Sequence, residues 1–171
     1  MLFRSGEMPQ KTRRIAVNSK GLIAVADSGK HYVLIFDKEG KFVRKLGCHG
    51  ANPGQFNIPR GVTYLNDDEI LVADDGNHRI QQFNVQTGNF VKSFGEKGTR
   101  EGEFQNPENV CMDGEGRVVV ADYNNNRIQV LTTDGKPVFK FRESGWRSST
   151  VPLDGFITKT CSLYLTAATT S

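Results

Sequence analysis

Glu69-Ile70-Leu71-Val72-Ala73-Asp74-Asp75-Gly76-Asn77-His78-Arg79-Ile80-Gln81-Gln82-Phe83-Asn84 is the stretch on which the fold turns. It holds two runs of about six residues, rich in Val, Ile, Leu and Phe, on either side of a polar segment with Asp, Gly and Asn, which is the pattern of a β-hairpin. The stretch returns elsewhere in the chain. Ala26-Asp27, Ala73-Asp74 and Ala121-Asp122 recur at spacings of 47 and 48 residues. The same register aligns Ile15, Val62 and Val110, then Val25, Val72 and Val120, then Phe36, Phe83 and Leu131, with Leu46, Phe94 and Phe141 closing each unit. The connectors repeat as well, since Gly54, Phe56 and Pro59 match Gly102, Phe104 and Pro107. A period of this length marks an array of supersecondary units.

Read in the second copy, the unit is four strands, Gly61 to Leu65, Glu69 to Asp74, Arg79 to Asn84 and Asn89 to Phe94, separated by Asn66-Asp67-Asp68, Asp74 to Asn77 and Gln86-Thr87-Gly88. Such short polar connections make an antiparallel meander. Gly29, Gly76 and Asn124 occupy one aligned turn position, and the expectation is a positive φ there, which Gly and Asn tolerate best. Ile70 and Val72 alternate with Leu71 and Ala73, so both faces of the sheet are apolar and each must be covered. Sheets of four strands that cover one another around an axis describe an all-β fold, the β-propeller.

The segments Phe56-Asn57-Ile58-Pro59-Arg60-Gly61-Val62, Ile70 to Phe83 and Val118 to Leu131 resemble the NHL repeat. The resemblance covers about residues 6 to 145. It implies a propeller, most often six-bladed, of the kind found at the C-terminus of tripartite-motif (TRIM) ubiquitin ligases. The first copy departs from the pattern, with Lys30-His31-Tyr32-Val33 where the others have Asn77-His78-Arg79-Ile80 and Asn125-Asn126-Arg127-Ile128. The expected organisation is a connector end over residues 1–10, repeats over 11–58, 59–106 and 107–145, and a Ser/Thr-rich tail over 146–171 that is disordered or a non-native terminus. Gly6 and Met8 fall in register with Gly54 and Phe56, so the chain is expected to open inside the connector from a preceding blade. Three blades of a six-bladed ring are a partial propeller, to be completed by further blades or by a homodimer.

Among the 171 residues no apolar run approaches the roughly 20 that a membrane span needs, and the N-terminal residues do not read as a signal peptide. Cys48, Cys111 and Cys161 are odd in number and far apart, which argues against a disulfide framework and a zinc module and favours a cytoplasmic location. Net charge is +3 overall, but residues 1–58 hold 10 Lys and Arg against 4 Asp and Glu, while residues 59–106 hold 5 against 8.

No nucleophile elbow, carboxylate pair, calcium loop or phosphate-binding loop is legible, so no catalytic residue, cofactor or metal is assigned and a non-catalytic interaction module is expected. His31 and His78 are aligned, but two equivalent histidines fall short of the three protein ligands that a zinc site takes. Asp27, Asp74 and Asp122 are read as scaffolding that caps turn amides, with Arg79 and Arg127 pairing locally. Pro59, Pro107, Gly29, Gly76 and Asn124 belong with them as structural repeat positions. The loops between second and third strands and the connectors between blades should share one rim, and rim loops on a rigid scaffold commonly carry binding. Arg13, Arg14, Arg60, His78, Arg79, Lys97, Arg100 and Tyr123 are the candidate contacts there. The resemblance implies a protein partner, as in substrate recognition by a ubiquitin ligase. Single-stranded RNA is the alternative, since basic and stacking side chains suit splayed bases; Asp75, Glu96, Glu101 and Glu108 oppose it.

Overall fold

The computed structural model describes residues 9–142. Twelve strands form three antiparallel sheets of four. The first blade is β1 (Thr12–Val17), β2 (Ile23–Asp27), β3 (Tyr32–Phe36) and β4 (Phe42–Leu46). The second is β5 (Pro59–Tyr64), β6 (Glu69–Asp74), β7 (Arg79–Asn84) and β8 (Phe90–Phe94), and the third is β9 (Pro107–Met112), β10 (Val118–Asp122), β11 (Arg127–Leu131) and β12 (Pro137–Phe141). Each blade is a meander in which sequence neighbours pair, and the aligned turns give the aligned registers Ala26↔Val33, Ala73↔Ile80 and Ala121↔Ile128. One turn of 3-10 helix, Asp75–Asn77 and Tyr123–Asn125, joins the middle strands of the second and third blades.

The two apolar faces of each sheet explain the stacking. Ile70 and Val72 enter a core shared with Ala24, Val33 and Leu46 of the first blade, whereas Leu71 and Ala73 enter one shared with Val110, Val118 and Val120 of the third. Alternation along β6 thus places one strand in two cores. The first strands β1, β5 and β9 pack against each other and lie innermost, and the crowding there is visible at Gly61, where an added Cβ would stand 2.7 Å from the Asn109 Cα.

Each connector is a compact loop that doubles back on itself. Phe56 donates its amide to the Cys48 carbonyl at 2.7 Å, as Phe104 does to Glu96 at 2.8 Å, and both rings are fully buried between blades. Gly47 and Gly95 lie over these rings with φ of +73° and +88°, and a Cβ at either would stand 2.5 Å or 2.3 Å from a ring carbon. Glycine is needed there for both conformation and space.

The positive φ values do not fall where the sequence places them. Gly29, Gly76 and Asn124 are not left-handed; His31, His78 and Asn126, two residues on, are, at 58°, 57° and 48°. Glycine serves close approach at position 76, because a Cβ there would stand 2.8 Å from the Asn57 carbonyl oxygen that its amide bonds. The tail over 146–171 lies outside the described residues. Cys48 is free and Cys111 is disulfide-bonded, so the odd cysteine count did not exclude a disulfide.

Candidate functional site

The buried aspartates fix the rim. Asp74 ends β6 with no exposed surface, and its Oδ1 accepts the Asn57 amide of the incoming connector at 2.7 Å. Its Oδ2 accepts from Asn77 Nδ2 at 2.8 Å, Arg79 Nε at 2.9 Å and Gln81 Nε2 at 3.0 Å. Arg79 also donates to the Asn52 and Gln55 carbonyls, and Gln81 bonds Gly54 and Gln55 of the same connector. The third blade repeats the arrangement, with Asp122 accepting from the Gln105 amide, Asn125, Arg127 and Gln129. The aspartates of these two blades therefore hold connectors, a correction to the expectation that they cap turn amides. Burial pushes the Asp74 carboxyl up, and the donors from Asn77, Asn57 and Arg79 oppose it.

In the first blade Lys30, Tyr32 and Leu34 replace the Asn, Arg and Gln of this network. Asp27 there accepts four backbone amides instead, from Gln10, Lys11, Gly29 and Lys30. Turn capping holds in that blade alone.

Histidines lock adjacent blades. Ile58 donates its amide to His31 Nδ1 at 2.9 Å, and Asn106 donates to His78 Nδ1 at 3.1 Å. Both rings must be neutral, with the proton on Nε2, for Nδ1 to accept. Burial lowers both pKa values, helped by His49 at His31 and by Lys97 at His78. His31 and His49 rings lie 4.3 Å apart, a pairing the sequence did not reveal. A depressed histidine pKa favours the neutral fold, so this contribution is complete above the unfolded value of about 6.5 and is lost as pH falls below it. Urea midpoints are expected to drop between about pH 7.5 and 5, and a His31→Asn/His78→Asn variant should flatten that dependence, Asn126 already being the left-handed residue of the third blade. An unchanged slope would contradict the lock.

The rim candidates sort by these contacts. Arg79, with a side chain 13% exposed, and His78 are occupied as scaffold, so they drop out of the accessible set. Arg13, Arg14 and Arg60 converge on one small pocket at the inner strands, together with Glu108. Arg60 is ion-paired there with Glu108 and, at 3.4 Å, with Asp75. Arg100 stands in a separate open groove with Glu96, Glu101 and Glu103, and its guanidinium bonds Glu103. Lys97 and Tyr123 are exposed on the same rim. Among the described residues no group of three or more His, Cys, Asp or Glu could hold a metal, and no helix is long and apolar enough to cross a membrane.

The NHL repeat model matches residues 56–83 and 104–131, which hold Asp74 and Asp122 with their Asn, Arg and Gln side-chain donors. Those two segments match the NHL repeat. Over 43 residues it is 49% identical to the E3 ubiquitin-protein ligase TRIM32 of Mus musculus, covering 25% of this chain and 7% of that protein. The RING finger protein nhl-1 of Caenorhabditis elegans is 48% identical over 50 residues, 29% of this chain and 5% of its own length. Protein brain tumor of Drosophila melanogaster is 38% identical over 72 residues, 41% of this chain and 7% of its own. The chain thus spans only a small part of these relatives. Among solved structures, virginiamycin B lyase from Staphylococcus aureus superposes with a TM-score of 0.63 at 17% identity, over 84% of this chain and 45% of the lyase. The WD40 propeller domain of Doa1 gives 0.60 at 12%, over 77% and 40%. These two likenesses show the propeller fold of the NHL repeats and nothing of their activity.

Proposed function

We propose that these NHL blades are a non-catalytic protein-interaction module in the cytoplasm, serving as the partner- or substrate-recognition part of a ubiquitin ligase of the tripartite-motif kind. One observation carries the reading. Arg13, Lys97, Arg100 and Tyr123 are exposed on a single rim whose loops are held by buried charge networks, so the side chains available for contact stand on a preformed surface. The ligase attribution is supported by the names of the relatives TRIM32 and nhl-1.

The test compares proteins captured from cells by the wild-type chain, a Lys97→Glu/Tyr123→Ala rim variant and a Lys41→Glu variant of an exposed residue in the turn before β4, at the end of the blade away from the rim. A partner should fall at least about tenfold with the rim variant and stay with the control, as expected when binding energy is concentrated in few residues. Equal capture by all three would overturn the reading. Fusion of the chain to a RING domain then tests the ligase part, which fails if the captured partner is not ubiquitinated.

Single-stranded RNA is a second reading, favoured by the convergence of Arg13, Arg14 and Arg60 on one pocket. Glu108 and Asp75 already compensate Arg60, which ranks RNA below protein. Backbone-driven RNA binding should weaken with salt at a log-log slope near about −0.7 per phosphate contacted. No binding at low salt would dispose of it.

A further inference from the structure

Alternation along β10 sends Val118 and Val120 into the core shared with the second blade, and Val119 and Ala121 to the opposite face. Among the described residues, the cluster on that opposite face consists of third-blade side chains alone: Val119, Ala121, Ile128 and Val130, with Cys111 packed against them. These four are nevertheless only 1–7% exposed. Phe139 and Phe141 pair with Val130 and Ile128 and share their face, yet they are 43% and 36% exposed. Something outside residues 9–142 therefore covers the inner three strands and leaves the outer one open.

Cysteine arithmetic names the segment. The chain has three cysteines; Cys48 is free and Cys111 is disulfide-bonded, which leaves Cys161 as the partner. Around Cys161, Ile157, Leu163 and Leu165 share its parity, while Thr158, Thr160, Ser162 and Tyr164 take the other. That period of two is the pattern of a strand with one apolar side. Reach is ample. Phe141 lies in one cross-strand row with Ile128, Ala121 and Asn109, so the chain leaves β12 three strand spacings from β9. Those spacings sum to about 14 Å, whereas the residues from Phe141 to Cys161 extend to roughly 60 Å.

From the buried face and the cysteine pair we infer that this side of the third blade is a docking surface for the chain's own segment 157–165, laid over β9, β10 and β11 with Cys161 bonded to Cys111. The bond closes by exchange with a small disulfide such as oxidised glutathione. The Cys161 thiolate attacks one of its sulfurs and expels a glutathione thiolate; the Cys111 thiolate then attacks the Cys161 sulfur and expels the second. The two cysteines lose two protons and two electrons, and one glutathione disulfide becomes two thiols. In a reducing compartment the pair stands as thiols, and the segment is held by its apolar contacts alone.

The test uses the full chain with Cys48→Ala, which removes the exposed competing thiol. It is equilibrated with reduced and oxidised glutathione, with and without concentrated urea, and linked peptides are read by mass spectrometry without reductant. The Cys111–Cys161 bond should form within one chain, with an equilibrium constant against glutathione at least about tenfold larger in the folded protein, because docking raises the effective concentration of one thiol at the other. Leu163→Asp/Leu165→Asp alters no residue of the blades and should bring the folded value down to that in urea. A linkage between chains, no linkage, equal constants in buffer and urea, or a folded constant indifferent to the two aspartates would overturn the inference.

Discussion

Arg127→Ala is expected to lose about 3–5 kcal/mol of folding stability, the range for breaking a buried ion pair from one side. The guanidinium is 1% exposed; Nε bonds Asp122 at 2.6 Å, Nη1 the Thr99 carbonyl at 2.7 Å, and Nη2 the Arg100 and Glu103 carbonyls at 2.7 Å each. Truncation leaves a buried carboxylate facing only Asn125, Gln129 and the Gln105 amide, and takes a donor from three connector carbonyls, of which Arg100 keeps the Glu103 amide and Glu103 keeps Gln129 Nε2. Domains of this size are stable by only about 5–15 kcal/mol, so the loss is a large fraction of the whole. Arg79→Ala should cost less, because Arg79 is more exposed and bonds two carbonyls. Urea unfolding measures both, and a smaller midpoint change for Arg127→Ala than for Arg79→Ala would reverse this ordering of the two networks.

Phe104→Ala should cost about 3–5 kcal/mol by a different route, the cavity left by an aromatic side chain that cannot be refilled. Phe104 belongs to no strand, yet it is fully buried in the core between the second and third blades. Its ring is clamped by Gly95, and its backbone bonds Glu96 and Gly98. The cavity opens at a boundary between sheets, so exchange of amide hydrogens should accelerate first in the connector over 95–106 and in β9. Uniform acceleration across the three blades would mean that the connectors do not carry this interface.

The fold was legible because its signals are redundant. Val62 aligned with Val110, Ala73 with Ala121 and Phe56 with Phe104 point to the same register, and the alternation along β6 already required two cores. The arrangement within the network was less legible. Asp74, Asn77, Arg79 and Gln81 are visible as a repeated set, but a sequence does not say that their common partner is a connector 17 to 27 residues upstream. The histidine lock was missed because Gly76 drew attention to the dihedral at the wrong position, although the aligned His31, His78 and Asn126 are of the types most enriched among non-glycine residues at positive φ. Of the rim candidates, Arg13, Lys97, Arg100 and Tyr123 are exposed, while Arg79 could be told from them only by its three-dimensional partners.

The connectors join one blade to the carboxylate of the next, so the boundaries of the sequence repeat and of the structural unit are out of step. A facet of the rim is authored by two consecutive repeats, one giving the loop and the other the anchor that shapes it. Grafting a single repeat from a homologous propeller would therefore transplant half of each of two facets. Recombination that preserves a recognition surface should cut within the sheets, after the anchor and before the next loop, and shuffled propellers joined at the connectors should fold while exchanging their specificities in unrelated pairs.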